Sequence, residues 1–302
     1  MQAAGKRQKR TISGWLVLDK PYDMTSTQAV GKVRWLFAAA KAGHAGTLDP
    51  LATGILPIAL GEATKAVPHV QDGRKVYRFE VRWGSTTSTD DAEGEVVAVS
   101  DRRPAEAEIL AALPQFTGTI EQVPPTFSAI KVGGERAYDL ARAGEAVELK
   151  PREIAIDSLG LVAHDVETST FEVTCGKGTY VRALARDLAE RLGTRGHVAR
   201  LHRAAVGDFH DADAVRLADL EAMSPAERDA VLKPVAAGLG TLCEVRVRGE
   251  QATTLRNGNP VLLTGGGAPV ALDAAWASFA GEVVATGSVV RGQFVPRRVF
   301  NL

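Results

Sequence analysis

From Val76 to Trp83 apolar and polar positions alternate. Tyr77, Phe79, Val81 and Trp83 fall on one face, and Arg78, Glu80 and Arg82 on the other. That period of two predicts a half-buried strand. Phe171, Val173 and Cys175 alternate with polar residues in the same way. Two continuous apolar runs, Trp15–Asp19 and residues 54–60, predict fully buried strands, the first stopped by Lys20-Pro21. Helical spacing appears in Val30, Val33 and Phe37, which predicts a helix over about 27–40 capped by Thr25 or Ser26. A second helix is expected over 104–112. A third, over 180–192, turns Val181, Leu184, Leu188 and Leu192 inward and stops at Gly193. Residues 42–50 read as a loop, 177–179 as a turn, and 94–99 as the return strand of a hairpin with 76–83 across the polar turn 84–93.

Residues 122–152 interrupt this order. Pro124-Pro125 opens the stretch, Gly133-Gly134 breaks it, a short helical run follows from residue 135, and Pro151 closes it. The segment reads as an excursion from the sheet. After Pro234 the texture changes to short alternating segments separated by glycines, which predicts a small all-β module over 238–302. No internal repeat is visible. The strands outnumber the helices without a regular β-α-β order, so the expected class is α+β with a mixed or antiparallel sheet. The dinucleotide and P-loop phosphate fingerprints are both missing.

Composition narrows the class. The chain has 302 residues, 45% hydrophobic and 24% charged, which excludes wholesale disorder. No run of 18 apolar residues occurs, so no membrane span is expected. The polar, basic start Met1–Arg10 is no signal peptide in this reading. Cys175 and Cys243 lie 68 residues apart and fit neither a disulfide framework nor a zinc site, which points to a reducing, cytoplasmic setting. Net charge is zero, 36 basic against 36 acidic side chains, but it is segregated along the chain. Residues 1–50 carry +5 and 171–203 carry +4, while 89–112 and 205–230 carry −5 each. Basic blocks brought together would suit a phosphate backbone. Blocks scattered over the surface would not, and charge alone does not choose.

The segment of most chemical interest is AGHAGTLDPLATGILPIAL (42–60). Gly43, Gly46 and Pro50 bend and stiffen it, and His44 and Asp49 are its only ionisable groups. A carboxylate held between a glycine bend and a proline suits catalysis. It equally suits an Asp-Pro turn in which Asp49 accepts backbone N–H bonds.

Several motifs together carry a resemblance. HAGTLDPLATGIL (44–56) resembles the catalytic loop of the TruB family, the bacterial tRNA pseudouridine synthases that modify uridine 55 of the T loop. GWLVLDKP (14–21) resembles its opening motif, KVYRFEVRWG (75–84) its tyrosine strand, and TDDAEG (89–94) the turn that follows. VPPTFSAIKVGGERAY (123–138) resembles the base of its RNA-gripping insertion, KGTYVRALARDLA (177–189) its arginine motif and HVARLHRAAVG (197–207) its leucine segment. The motifs run in family order from about 14 to 207. Beyond them only LRNGNPV (255–261) and PRRV (296–299) are similar.

The resemblance implies a pseudouridine synthase catalytic domain over 1–235, with an insertion at about 122–152, and a PUA-like RNA-binding domain over 238–302. By position, Asp49 matches the attacking aspartate, Tyr77 the tyrosine beside the target base, and Arg182 the arginine that pairs with the aspartate. His44 matches the histidine that fills the gap left in the RNA stack, and Tyr180 and Leu201 match pocket-lining positions. The implied partner is the T stem-loop of tRNA, with no obligatory protein partner, a monomeric enzyme and no cofactor or metal. Turning uridine into pseudouridine replaces an N1–C1′ bond by a C5–C1′ bond with no redox change. It needs an ionised carboxylate and a cation that keeps it charged in a dry pocket. Lys20 and Pro21 read as braces of the aspartate loop, and Asp90 and Asp91 as an Asx-type turn. Two other functions remain open at this level: a non-catalytic RNA-binding or tRNA-chaperone module of the same shape, and a synthase acting on another RNA.

Overall fold

The computed structural model describes residues 8–128, 131–132, 135–136, 149–265 and 267–302. The chain folds as two compact units. One comprises Met1–Asp49, Ile55–Gly73 and Val206–Leu302, the other Pro50–Gly54 and Arg74–Ala205. The expected class holds: mixed sheet, helices, and a C-terminal β region.

The first unit opens with β1 (Gly14–Lys20), buried at every position but Asp19, as its continuous apolar run requires. Trp15 and Val17 pack with Ile55, Ala59 and Phe209. Helix α1 (Ser26–Leu36) starts at Thr25 through a capping box: the Gln28 N–H donates to Thr25 Oγ1 at 3.1 Å and the Thr25 N–H to Gln28 Oε1 at 2.8 Å. The helix ends at Leu36, short of the expected residue 40. Ala38 turns left-handed at φ 49°, and its carbonyl accepts from the Arg10 N–H at 2.7 Å, which takes the chain out of the helical path. The expected loop 42–50 also begins as a strand. β2 (Ala42–His44) pairs antiparallel with β3 (Ala52–Leu60), His44 opposite Ile58. Ala52–Gly54 of β3 belong to the second unit.

The second unit begins with β4 (Lys75–Trp83), where Phe79, Val81 and Trp83 are buried as the alternation predicts. The 94–99 strand does not pair back on it. β5 (Ser85–Thr87) and β6 (Val96–Val99) form their own two-stranded ribbon. Both edges of β4 are taken by other strands, and Gly84 at φ +92° ends it. After the helix Glu106–Ala112 comes β7 (Gly118–Gln122), then a small hairpin of β8 (Lys131–Val132) and β9 (Glu135–Arg136). The helical run expected from residue 135 lies, beyond Arg136, outside the described residues. β10 (Arg152–His164) pairs antiparallel with β7, Arg152 opposite Gln122, so the excursion leaves and rejoins the sheet at neighbouring positions. β11 (Thr168–Cys175) follows, then the helix Val181–Arg191 and β12 (Gly196–Val206). The order is β12, β4, β11, β10, β7, and residues 52–54 of β3 run parallel along β12. Phe79 and Phe171 stack at 5.4 Å, and the helix buries Val181, Leu184 and Leu188 in the same core.

The chain then returns to the first unit. β13 (Phe209–His210) is followed by β14 (Val215–Arg216), which runs parallel to β1. Residues from 243 onward form a separate five-stranded sheet. Its strands are β15 (Cys243–Arg246), β16 (Val261–Leu262), β17 (Leu272–Phe279), β18 (Glu282–Val290) and β19 (Gln293–Val299), in the order β15, β17, β18, β19, β16. One helix, Gly249–Arg256, packs Ala252 and Leu255 into its core. The sheet is not isolated within its unit: Val283 and Phe300 join the core of Trp15, Val17 and Leu239. No helix among the described residues is long and apolar enough to cross a membrane.

Candidate active site

Asp49 follows a loop anchored from α1. Ser26, the first helical residue, is buried. Its hydroxyl accepts from the Leu48 N–H at 2.8 Å and donates to the Leu48 carbonyl at 3.0 Å. The Ala45 N–H donates to the Pro57 carbonyl at 2.9 Å, and Gly46 supplies a left-handed φ of +107° that L side chains rarely adopt. Ala45 and Leu48 are buried, so the loop is pinned at both ends and Asp49, half-buried, emerges from a fixed point. His44 is half-buried at the end of β2, five residues earlier and across Gly46. Lys20 is fully buried; its ammonium donates to the carbonyls of Pro21 and Met24 at 2.8 and 2.7 Å. These bonds hold the turn 21–24 that feeds α1; the aspartate loop, which Lys20 was expected to brace, is anchored to that helix by Ser26.

Immediately after Asp49 the chain docks on β12. Ala52, Thr53 and Gly54 face Leu201, His202 and Arg203, and Thr53 Oγ1 lies 2.9 Å from His202 Nδ1. Gly54 sits at φ +97°, and a Cβ there would overlap the Arg203 carbonyl oxygen. Leu201 is half-buried against the core of this unit, and so is Tyr77, which pairs with Val173 at the start of the buried face of β4.

Tyr180 caps the Val181–Arg191 helix without a side-chain cap bond of its own. The Gln122 side chain grips its backbone instead, accepting from the Tyr180 N–H at 2.8 Å and donating to its carbonyl at 3.1 Å. Arg182, in the first turn, is buried. A buried guanidinium requires partners. Nη1 donates to the Thr89 carbonyl and Nη2 to the Phe127 carbonyl, both at 3.0 Å, and Asp91 lies 3.4 Å from Nη1. The 89–93 turn is the expected Asx type, with Asp91 Oδ1 accepting from the Glu93 N–H at 3.0 Å and from Thr89. Its carboxylates also serve the helix, which the motif did not reveal: Asp91 faces Arg182, and Asp90 accepts from Arg186 at 3.0 Å. Burial pushes the Asp90 carboxyl above its usual range, against the pull of Arg186. Ser26 and Gln122 were missed as well, because their partners lie 22 and 58 residues away. Among the described residues no three His, Cys, Asp or Glu side chains gather as metal ligands would.

Comparison with known proteins follows these positions. Residues 34–181 match the family model of the TruB family pseudouridylate synthase N-terminal domain. Residues 182–239 match that of the tRNA pseudouridylate synthase B C-terminal domain. The chain is 51% identical over 323 residues to tRNA pseudouridine synthase B of Mesorhizobium japonicum (strain LMG 29417 / CECT 9101 / MAFF 303099), covering 99% of each chain. It is 53% identical over 308 residues to the protein of that name from Sinorhizobium medicae (strain WSM419), again covering 99% of each. Among solved structures, a Cbf5-Nop10-Gar1 complex contains a chain of the same fold, with a TM-score of 0.72 at 23% identity over 95% of this chain and 84% of that one. Family models spanning residues 34–239 and full-length relatives at this identity settle the question: the chain belongs to the TruB family of pseudouridylate synthases, which are isomerases.

Proposed function

We propose that this protein converts the uridine at position 55 in the T loop of tRNAs to pseudouridine, with Asp49 as the attacking carboxylate. The observation that carries the reading is the match, over 99% of each chain, to relatives named tRNA pseudouridine synthase B. The geometry supports it. The loop ahead of Asp49 is fixed by Ser26, so the carboxylate needs little reorganisation to act. Arg182 is the cation assigned to it, held in the first turn of its helix by the Thr89 and Phe127 carbonyls, with the Asp91 carboxylate 3.4 Å away. Tyr77, Tyr180 and Leu201 line the pocket for a uridine taken out of its stack. His44 fills the gap the base leaves, stacking with a flat ring and taking no part in bond making. Isomerisation rearranges atoms already present in the nucleotide, so the reading requires no cofactor. Residues 1–235 form the catalytic domain, and 238–302 a PUA-like domain that contacts tRNA away from the target through Arg291, Arg297 and Arg298. The enzyme acts in the cytoplasm as a monomer without an obligatory protein partner.

Incubating the protein with a T-stem-loop RNA and mapping pseudouridine tests this. Modification at position 55 alone is expected. An unmodified RNA that is nevertheless bound would favour the non-catalytic chaperone reading, and modification elsewhere would reassign the target.

A further inference from the structure

Arg182 and Arg186 lie four residues apart in the Val181–Arg191 helix, and therefore on one face. Each reaches the same two segments. Arg182 donates to the Thr89 carbonyl and to the Phe127 carbonyl. Arg186 donates to Asp90 through Nη1 at 3.0 Å and to the Val123 carbonyl through Nη2 at 2.8 Å. A further rung stands at the N-cap of the helix, two residues before Arg182, where the Gln122 amide holds the Tyr180 backbone from both sides. Three segments are thereby laced together: the 89–91 turn, the 122–127 root of the excursion, and the first two turns of the arginine helix.

We propose that Gln122 and Arg186 are positioning residues that hold the Phe127 carbonyl in register with Arg182, and so set the rate of the chemical step without contacting RNA. The inference rests on the role given to Arg182 above. The charge balance at Arg186 supports it. The guanidinium is partly buried between Asp90 and Asp187, with Nε donating to Asp187 at 3.0 Å. Two carboxylates already neutralise it, which leaves little charge for a phosphate. Gln122 is buried and uncharged, and both its amide donor and its amide acceptor are engaged by Tyr180.

The test uses Arg186→Met, Arg186→Lys and Gln122→Met in the full chain. Three quantities are read: the single-turnover rate at saturating T-stem-loop RNA, RNA affinity across a salt series, and hydrogen exchange at the Val123, Thr126 and Phe127 amides without RNA. The saturated rate in both Met variants should fall about 10- to 100-fold, the loss expected when a catalytic group is displaced by up to an ångström. Affinity and its salt slope should stay as in wild type, and exchange at the three amides should quicken. Arg186→Lys should recover part of the rate, because an ammonium can hold Asp90 but not the Val123 carbonyl at the same time. A saturated rate within twofold of wild type overturns the proposal, whatever the exchange does. So does a salt slope that drops by about one in Arg186→Met, the mark of a lost phosphate contact. Should Arg186→Met fail to fold, Gln122→Met decides alone, since it removes only a neutral amide. The arms separate the two readings. A wild type that leaves the stem-loop unmodified defeats the proposed function, whereas unchanged exchange beside an active wild type defeats the clamp.

Discussion

Ser26 illustrates how much of the site sits outside its motif. The residue was legible as a helix cap, one of two candidates, and Thr25 took that role. The Ser26 hydroxyl instead satisfies both polar groups of Leu48, next to Asp49. Nothing local in the sequence announces a bond across 22 residues. Ser26→Ala leaves a buried N–H and C=O without that partner, a loss of about 1–3 kcal/mol. Thermal melting should show this destabilisation, and the saturated pseudouridylation rate should fall while RNA affinity holds. Equal affinity and rate with wild type would mean that the loop does not need the brace. The two cysteines provide a second check. Burial pushes the Cys175 thiol up to about 11, whereas Cys243 is exposed. Since the thiolate is the reactive form, a native sample at pH 8 should take up one equivalent of an alkylating reagent at Cys243, and the second only on unfolding. Peptide mapping that found native Cys175 labelled as fast would contradict the burial.

At the scale of elements, periodicity disclosed what it could. β1 stands where its pattern places it because its continuous apolar run is buried on both faces, and β4, β11 and the Val181–Arg191 helix because each turns one consistent face to a shared core. β10 and β12 were not foreseen. β10 carries register shifts at Ile156/Ser158 and at Leu161/Ala163, which break the alternation. β12 contains Arg200, His202 and Arg203, a composition that reads as loop, yet it lies between β3 and β4 and buries Arg203. The change of texture after Pro234 did mark a new sheet. That sheet nevertheless shares a core with the N-terminal strands through Val283 and, just past its last strand, Phe300, and a Cβ added at Gly238 would lie only 2.5 Å from the Trp15 ring. Cutting the chain at 238 therefore uncovers Trp15, and melting should show the remainder destabilised. Exposed arginines test the RNA role more cleanly. Replacing Arg297 and Arg298 with Gln should weaken binding of full tRNA while sparing a short stem-loop. Equal losses on both RNAs would place these arginines at the target loop.

Over the whole molecule, segregated charge proved a weaker guide than motif order. Two cations of the basic N-terminal block are held by the acidic block 205–230: Arg10 pairs with Asp229 at 2.5 Å, and Lys32 pairs with Glu221. Sequence distance concealed that neutralisation. The remaining basic side chains must supply the phosphate contacts. Even a few such contacts predict that tRNA affinity falls at least about tenfold between roughly 50 and 200 mM salt. A flat titration would contradict phosphate-dominated binding. The central claim is that Asp49 performs the chemical step and contributes little to binding. Its most direct test is pseudouridine mapping on a T-stem-loop RNA with wild type and Asp49→Asn side by side, with RNA affinity measured for both. The expected result is near-equal affinity with product from Asp49→Asn below about 1% of wild type, the signature of an interaction made only in the chemical step. Turnover retained above that level at position 55 would show that another group carries the reaction.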